Sequence, residues 1–548
     1  MKKVAIWLGI AAVLGLAGVA IFLRSGGPAK AAAIAPADAS VFLNIPNIPL
    51  TGFRWTSTAM ARIAAEPEVR EFLKKPMEKK AGTGSAAAEA GGHLAALKPG
   101  NIFASVSPGE SGPSVLVGFQ FWGGKKDYEN AVARLREALP SGEGDPSTRL
   151  HRHIEVLATR HGDYELHSAA VGRWGLLSNS AAGIGAAIDR ALGESQGAGL
   201  DSNERFQKTI SELPDSPDFL AFLQPAPAAD ALGAVQGAAA SMALESLRST
   251  EAIGAAMKID GGLQRDALFI LHPHSKGETP PADTGAIAFT RAETVVFWRD
   301  SSFGFGDLPA ALRDASAAQP ALPRELPQLA EALAACGPGF SVSAEWPEGA
   351  LAPSPLVAVQ TASPETAREA LAAAAAVFPG ASPSGENGVL SIPSNFGSVQ
   401  LASIGNHLLA ATDPARLAEA ARPEGSAPTL ESSPKFRSAL PAYRAATGVF
   451  CYIDTATAFE RLHAAFVPVL RFTAAMVPAI GENVDTAKIP SAASISKHLQ
   501  PIVLSQRDTA RGTLFESSGP VSMGQLLLLG TAGFAAANPS IFPPPEVP

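Results

Sequence analysis

The chain has 548 residues, long enough for two domains that each fold alone. Charged residues make up only 17%, so Ala, Gly, Pro and Ser take their place and the surface is expected to be weakly charged. A net charge of -8, with no basic cluster beyond pairs such as Lys74-Lys75 and Lys125-Lys126, argues against a nucleic-acid binder.

Residues 1–24 open with Lys2-Lys3, run apolar and uncharged over 4–23, and close on Arg24. Such a run is long enough for a transmembrane anchor, and the lysine pair keeps the N-terminus in the cytoplasm and the body outside. A cleaved signal segment is the alternative, since Ala29-Lys30-Ala31 offers an A-x-A site. A tether follows over 25–35. PADASVFLNIP (36–46) reads as a strand bounded by prolines, then come a helix over 55–65 and another opening at Glu66-Pro67, where Pro suits the first helical position. A strand is expected over 115–121. The helix from Asp127 carries the stripe Tyr128, Val132, Leu135 and Leu139 at helical spacing. Residues 153–171 predict a hairpin turning at Gly162-Asp163. Its alternation places Ile154, Val156, Ala158, Ala169 and Val171 on one face and His151, His153 and Glu155 on the other. A strand over 174–180, a helix over 181–192 and a strand over 219–223 complete the first part.

These segments return in order. PSVLVGF (113–119) recurs as PSPLVAV (353–359), VGRWGLLSNS (171–180) as IGNHLLAATD (404–413), and LDSNERFQ (200–207) as LESSPKFR (430–437). A spacing of 230 to 240 residues signals a duplicated domain rather than a solenoid, whose units run to roughly 20–50 residues. The expected domains are therefore 36–275 and 288–537, joined by a Pro/Gly linker over 276–287 and followed by a disordered Pro-rich tail over 538–548. In the second copy RAETVVFW (291–298) matches the first strand, and helices are expected over 308–315 and 326–335. GVFCYID (448–454) reads as a buried strand, and a long helix carries Phe459, Leu462, Phe466, Val469 and Thr473 on one face, with Pro468 inside it. Leu526 to Ala537 is apolar but too short to span a bilayer, and is expected to dock on the second domain. Phe206 and Phe436 are expected to be buried at equivalent places. Cys336 and Cys451 are expected as buried small hydrophobes, with one disulfide as the alternative. The predicted fold class is α+β: two tandem copies of one domain, each a mainly antiparallel sheet with helices on one face, after an N-terminal transmembrane helix.

Few patterns carry chemistry. His151, His153 and Glu155 at spacing two along a strand form a weak candidate metal face. Against it, a solvated sheet face gives the same pattern, and Glu386 stands where His153 aligns in the second copy. Ser494 and Lys497 match S-x-x-K, and Tyr128-Glu129-Asn130 a Y-x-N, but no K-T-G follows. Gly183-Ile184-Gly185 begins a dinucleotide fingerprint that fails at Ile188. No catalytic or cofactor-binding residue is assigned and no cofactor is expected.

Taken together, PADASVFLNIP (36–46), PEVREFL (67–73), D-Y-x-x-A-V (127–132), GLLSNS (175–180) and L-x-S-N-x-x-F (200–206) resemble a family of bacterial envelope proteins known only as a domain of unknown function. The resemblance covers most of 36–275 and, more faintly, 288–540. It implies an exported, membrane-tethered α+β protein and brings no catalytic residues. The reading from sequence is a single-pass inner-membrane protein with a periplasmic body, held by its N-terminal helix, with an envelope protein as partner and no nucleic acid. Its activity is read as non-enzymatic binding or scaffolding. The alternatives are a metal-dependent or serine hydrolase of the envelope and a carrier of a lipid or other hydrophobic ligand.

Overall fold

The computed structural model describes residues 28–522, except 82–97, 110–111, 123, 139–146, 162–163, 194–197, 227–249, 274–284, 302–305, 307–308, 310–325, 335, 379, 385–388, 395–396, 423–426 and 478–484. By its internal contacts the chain divides into two compact units. The first holds residues 1–58, 77–275 and 511–514; the second holds 59–76, 276–510 and 515–548.

Ten strands make up the first run: β1 (Val41–Ile45), β2 (Pro99–Ser107), β3 (Ser114–Phe121), β4 (Ser147–His151), β5 (Ile154–His161), β6 (Tyr164–Val171), β7 (Trp174–Ser178), β8 (Phe219–Leu223), β9 (Ala252–Asp260) and β10 (Leu263–Leu271). They pair antiparallel in the order β4-β5-β6-β7-β3-β2-β1-β8-β9-β10. The second run holds β11 (Thr294–Asp300), β12 (Cys336–Glu345), β13 (Ser354–Thr361), β14 (Ser382–Ser384), β15 (Val389–Ser394), β16 (Gly397–Ile404), β17 (His407–Ala411), β18 (Val449–Ile453), β19 (Ile502–Asp508) and β20 (Gly512–Gly519). Its order is β14-β15-β16-β17-β13-β12-β11-β18-β19-β20. The register agrees in detail: Leu116 faces Ser178 across β3 and β7, and Leu356 faces Ala411 across β13 and β17.

Local chemistry explains the helices. Ser180 caps Ala181–Leu192 by accepting from the Gly183 amide, and Gly193 ends that helix in the left-handed region at φ 72. Ser363 and Pro364 open Pro364–Val377, and Asp413 and Pro414 open Pro414–Ala420. Asp454 caps Thr455–Met476, a helix that runs on through Pro468.

The fold corrects the expected one. Hydrogen bonding links the twenty strands into a single antiparallel sheet rather than one sheet per tandem domain. Helices also pack on both faces of the strands, not on one. Leu116 of β3 joins the core under Ala181–Leu192, while Phe119 and Phe121 of the same strand pack with Tyr128 and Val132 of the helix Lys125–Ala138. In the second unit Leu356 and Ala358 pack with Leu417, while Val359 packs with Ala370 of Pro364–Val377. The reason was visible in the strands themselves. LVGFQF and LVAV are nearly continuous apolar runs, the pattern of a strand covered on both sides.

The expected anchor over 1–24, the helix over 308–315 apart from residue 309, the apolar stretch over 526–537 and the tail over 538–548 lie outside the described residues. Among the described residues no helix is long and apolar enough to cross a membrane. That finding overturns the single-pass inner-membrane reading. Both cysteines are free and buried, Cys336 in β12 and Cys451 in β18. Burial pushes the Cys451 thiol up to about 12, so it is inert as a thiolate.

Each unit has an aromatic core around one phenylalanine. Phe206 packs edge-on against Phe42 at 5.9 Å and Phe222 at 5.2 Å. Phe436 meets Tyr452 at 5.0 Å and Phe450 at 6.0 Å and is fully buried. Phe436→Ala should cost about 3–5 kcal/mol by removing that packing and leaving a cavity. The midpoint of denaturant unfolding reads this directly, and a loss typical of a surface site would disprove the anchoring role.

Candidate functional site

A cleft of 770 Å³ opens in the first unit between the helix Lys125–Ala138 and the strands β5 and β6. Phe121, Tyr128, Val132, Ala133, Ile154, Leu157, Ala169 and Ala170 give it an apolar lining. Glu129, Glu155, His153, Ser168 and Arg173 supply its polar groups. Leu150 of β4 also lines it and is 75% exposed, so an apolar side chain waits at the opening.

The floor is set by an aromatic stack. Tyr128 lies over Phe121 at 5.4 Å and over Phe119 at 6.0 Å, both nearly parallel. Gly175 of β7 makes room for it: a Cβ there would come within 2.4 Å of the Phe119 ring and 2.6 Å of the Tyr128 ring. At the edge Arg173 lies 4.4 Å over the Trp122 ring, a cation–π contact that holds the guanidinium in place.

The sequence-derived metal face does not assemble. Arg152 and His153 sit at φ 50 and 65, forming a two-residue turn between β4 and β5 with both residues in the left-handed region. The turn breaks the alternation on which the face relied. His151 turns to the helix Ala181–Leu192, where its Nε2 lies 2.9 Å from Asp189 Oδ1. That hydrogen bond, with Arg152 nearby, holds the Asp189 carboxyl below its usual range. His153 and Glu155 do reach the cleft. Among the described residues no group of three metal-ligating side chains comes together.

The serine pattern is likewise dispersed. Ser494 Oγ donates to the Ser491 carbonyl at 2.8 Å, while Lys497 Nζ pairs with Glu66 at 2.9 Å. Glu66 also accepts from His498 Nε2 at 2.6 Å, which with Lys497 holds its carboxyl low. Neighbouring contacts are of the same kind: Glu68 accepts from the Ser491 amide and hydroxyl, and Lys488 pairs with Glu71. Ser494 and Lys497 therefore serve a docking contact for residues 59–76 rather than a nucleophile and its base. Tyr128, the other half of the pattern, is in the cleft of the first unit.

Sequence reasoning missed Leu150, Leu157, Ala170 and Arg173. The turn hid the first of these, since Arg and His are not the residues that mark a tight hairpin. Leu157 and Ala170 sit on the polar-labelled side of a hairpin whose second face is in fact covered.

In the second unit the corresponding space under Pro364–Val377 is closed. Ala374, Leu390 and Ile392 fill it, with Leu371, Phe378 and Leu401 packed against them. Small alanines on the helix let it approach β15 and β16 closely.

No family model matches the chain, and no curated protein matches it. Among solved structures, crystal form I of TP0453 aligns with a TM-score of 0.25 at 8% identity, covering 45% of this chain and 79% of that one. Crystal form III of TP0453 aligns with a TM-score of 0.24 at 8% identity, covering 45% and 80%. A likeness at that level carries no argument for the fold or for the cleft.

Strand alternation puts His167 of β6 on the sheet face opposite Ser168. It is 3% exposed, its Nδ1 has no partner, and its Nε2 lies 3.3 Å from Glu165. Burial lowers its pKa from the ordinary value. The unfolded chain therefore binds this proton more readily, and stability is full above the unfolded value of about 6.5 and falls as pH drops through it toward the folded value. Unfolding midpoints measured from pH 8 to 5 should show this loss, and His167→Leu should reduce it. An unchanged pH dependence in the variant would refute the assignment.

Proposed function

We propose that this chain is a non-enzymatic binding protein whose ligand site is the cleft between Lys125–Ala138 and the strands β5 and β6. One observation carries the reading: a cleft of 770 Å³ whose lining is shared between apolar side chains and polar or charged ones. A concave site of this size with both kinds of surface suits a small amphipathic molecule, one with an apolar part and a polar end. The aromatic stack and the aliphatic side chains of β5 bury the apolar part of such a ligand, and Arg173, Glu129 and Glu155 offer hydrogen bonds to its polar end. The filled counterpart beneath Pro364–Val377 supports the same reading, because one strand order is kept open in one place and packed shut in the other. The resemblance of residues 36–46 and 67–73 to bacterial envelope proteins supports the cell envelope as the place where it acts.

The test uses the full chain and a fluorescent apolar probe, N-phenyl-1-naphthylamine. Wild-type protein should enhance its emission saturably at one site. Ala133 lines the cleft from the exposed side of its helix, so Ala133→Trp should block the space without disturbing a buried core. Affinity should fall by about tenfold or more, equivalent to roughly 1.4 kcal/mol, with the thermal unfolding midpoint unchanged. Absence of saturable binding to wild type, or equal binding by the variant, would refute the site.

A further inference from the structure

The helix Thr455–Met476 is the longest in the molecule's described part, yet none of its residues is buried. One flank is tied down: Arg461 Nε donates to the Trp346 carbonyl at 3.2 Å, and His463 Nε2 lies 2.8 Å from the Pro490 carbonyl. Another flank is bare and apolar. Leu462, Phe466, Val469, Leu470 and Met476 share one side of the helix, with steps of four from Leu462 to Phe466 to Leu470, three from Phe466 to Val469 and seven from Val469 to Met476, and Phe466, Val469 and Met476 are 60–69% exposed. A stripe at this spacing is the face a helix normally turns to a core. A contiguous exposed patch of this kind calls for a covering partner.

We infer that the partner is the chain's own C-terminal segment, residues 523–548, with Leu526 to Ala537 laid along this stripe. Three observations point there. First, the place where the segment departs is close. Within the second unit Gly519 of β20 lies beside Ile502 of β19, a Cβ on it falling 3.4 Å from the Ile502 Cα. Ile502 in turn pairs with Ile453 of β18, immediately before the cap Asp454. The segment thus leaves the sheet two strand spacings, roughly 10 Å, from the start of the helix. Thr455 Oγ1 donates to the Gln500 carbonyl at 2.6 Å, which ties that start to β19's approach. Second, the lengths match. The stripe from Leu462 to Met476 spans about 21 Å, and twelve residues of apolar chain cover about 18 Å as a helix and more if extended. Third, the chemistry matches, since LLLLGTAGFAAA carries no charge and 523–548 has a single ionisable side chain, Glu546. A covalently held segment competes at millimolar effective concentration, an advantage neither a second copy nor a lipid surface has.

The test places a photoreactive probe on the stripe of the full chain. Phe466→Cys, and separately Val469→Cys, are labelled with benzophenone maleimide; the buried Cys336 and Cys451 are shielded from it. Equal amounts of light and heavy isotope-labelled protein are mixed, irradiated with and without phosphatidylethanolamine/phosphatidylglycerol vesicles, and digested for mass spectrometry. The expected result is cross-linking to peptides of 523–548 within the same chain, several-fold above a Leu351→Cys control, and unchanged by vesicles. Mixed-isotope cross-links would overturn the inference in favour of a second copy, and cross-links to lipid in favour of a membrane surface. Cross-links elsewhere in the chain, or none, would also overturn it. Ending the chain after Ser522 gives a second readout: binding of 8-anilinonaphthalene-1-sulfonate should rise several-fold, and Phe466→Asp in that shortened chain should reverse the rise. No rise on shortening would count against the inference.

Discussion

In each unit the sheet is organised around a strand with a neighbour on both sides, pinned by a short helical turn that comes back to it from far along the chain. In the first unit β1 lies between β2 and β8, and Phe206 closes over Phe42. The turn is fixed at its base, where the Leu200 amide donates to the Ala35 carbonyl at 3.0 Å and Leu200 is fully buried. The second unit repeats the arrangement with β11, Phe436 and a Leu430 amide bound to the Thr290 carbonyl at 2.8 Å. These contacts join residues more than 130 positions apart. The hairpins β4 to β7 attach on the β2 side, through β3, and β9 and β10 on the β8 side. Burying one aromatic ring stabilises by roughly 1.5–3 kcal/mol, and in the first unit the ring also closes a long loop back to Phe42.

Charge is used differently in the two cores. The second unit encloses Arg299, which is 2% exposed, donates to the Ala446 carbonyl at 3.0 Å and lies 4.5 Å over the Tyr443 ring. It also holds Arg416 against Glu345 and Ser343, with Arg291 joining Glu345 to Glu419. Burial pushes the Glu345 carboxyl upward while the two arginines oppose it, so its ionised form depends on the network being complete. Such groups cost desolvation and make a core intolerant of single changes. In the first unit Arg190 donates to the carbonyl of Ile34 at 2.7 Å. That unit's spare space lies in the cleft, lined by both apolar and polar side chains.

The cleft and the bare helix raise one physical question, that of what an apolar surface does when the described chain does not cover it. Their answers differ because their shapes differ. The cleft is concave, floored by stacked rings and rimmed by polar side chains, which suits a small molecule. The helix stripe is convex and extended, which suits a second elongated segment. The helix Thr455–Met476 buries none of its residues, and such elements belong to the least stable part of a fold.

Several features could be read from the residues without any coordinates. The punctuation of strands by Pro and Gly, the caps Ser180, Asp413 and Asp454, and the matching of LDSNERFQ to LESSPKFR depend on local chemistry alone, which acts over a few residues. So does the apolar stripe of Thr455–Met476, which follows from a period of 3.6. Tertiary structure decided the rest. The apolar runs of β3 and β13 signal cover on both faces, but which helix supplies the second cover, Lys125–Ala138 or Pro364–Val377, is decided only when distant segments meet. The metal face failed because Arg152 and His153 accept positive φ, a conformation imposed by the pairing of β4 with β5 and not signalled by Gly, Asn or Asp. An early helix was misplaced for a related reason. Asn47 caps Ile48–Trp55 by accepting from the Leu50 amide, and Arg54 is then held at 3.1 Å by Asp218, a residue more than 160 positions away. The cleft itself is a difference in packing between two similar arrangements. Ala367, Ala370 and Ala374 let one helix settle onto its strands, while Tyr128 and Phe121 prop the other away, and that difference exists only once the helices and strands have met.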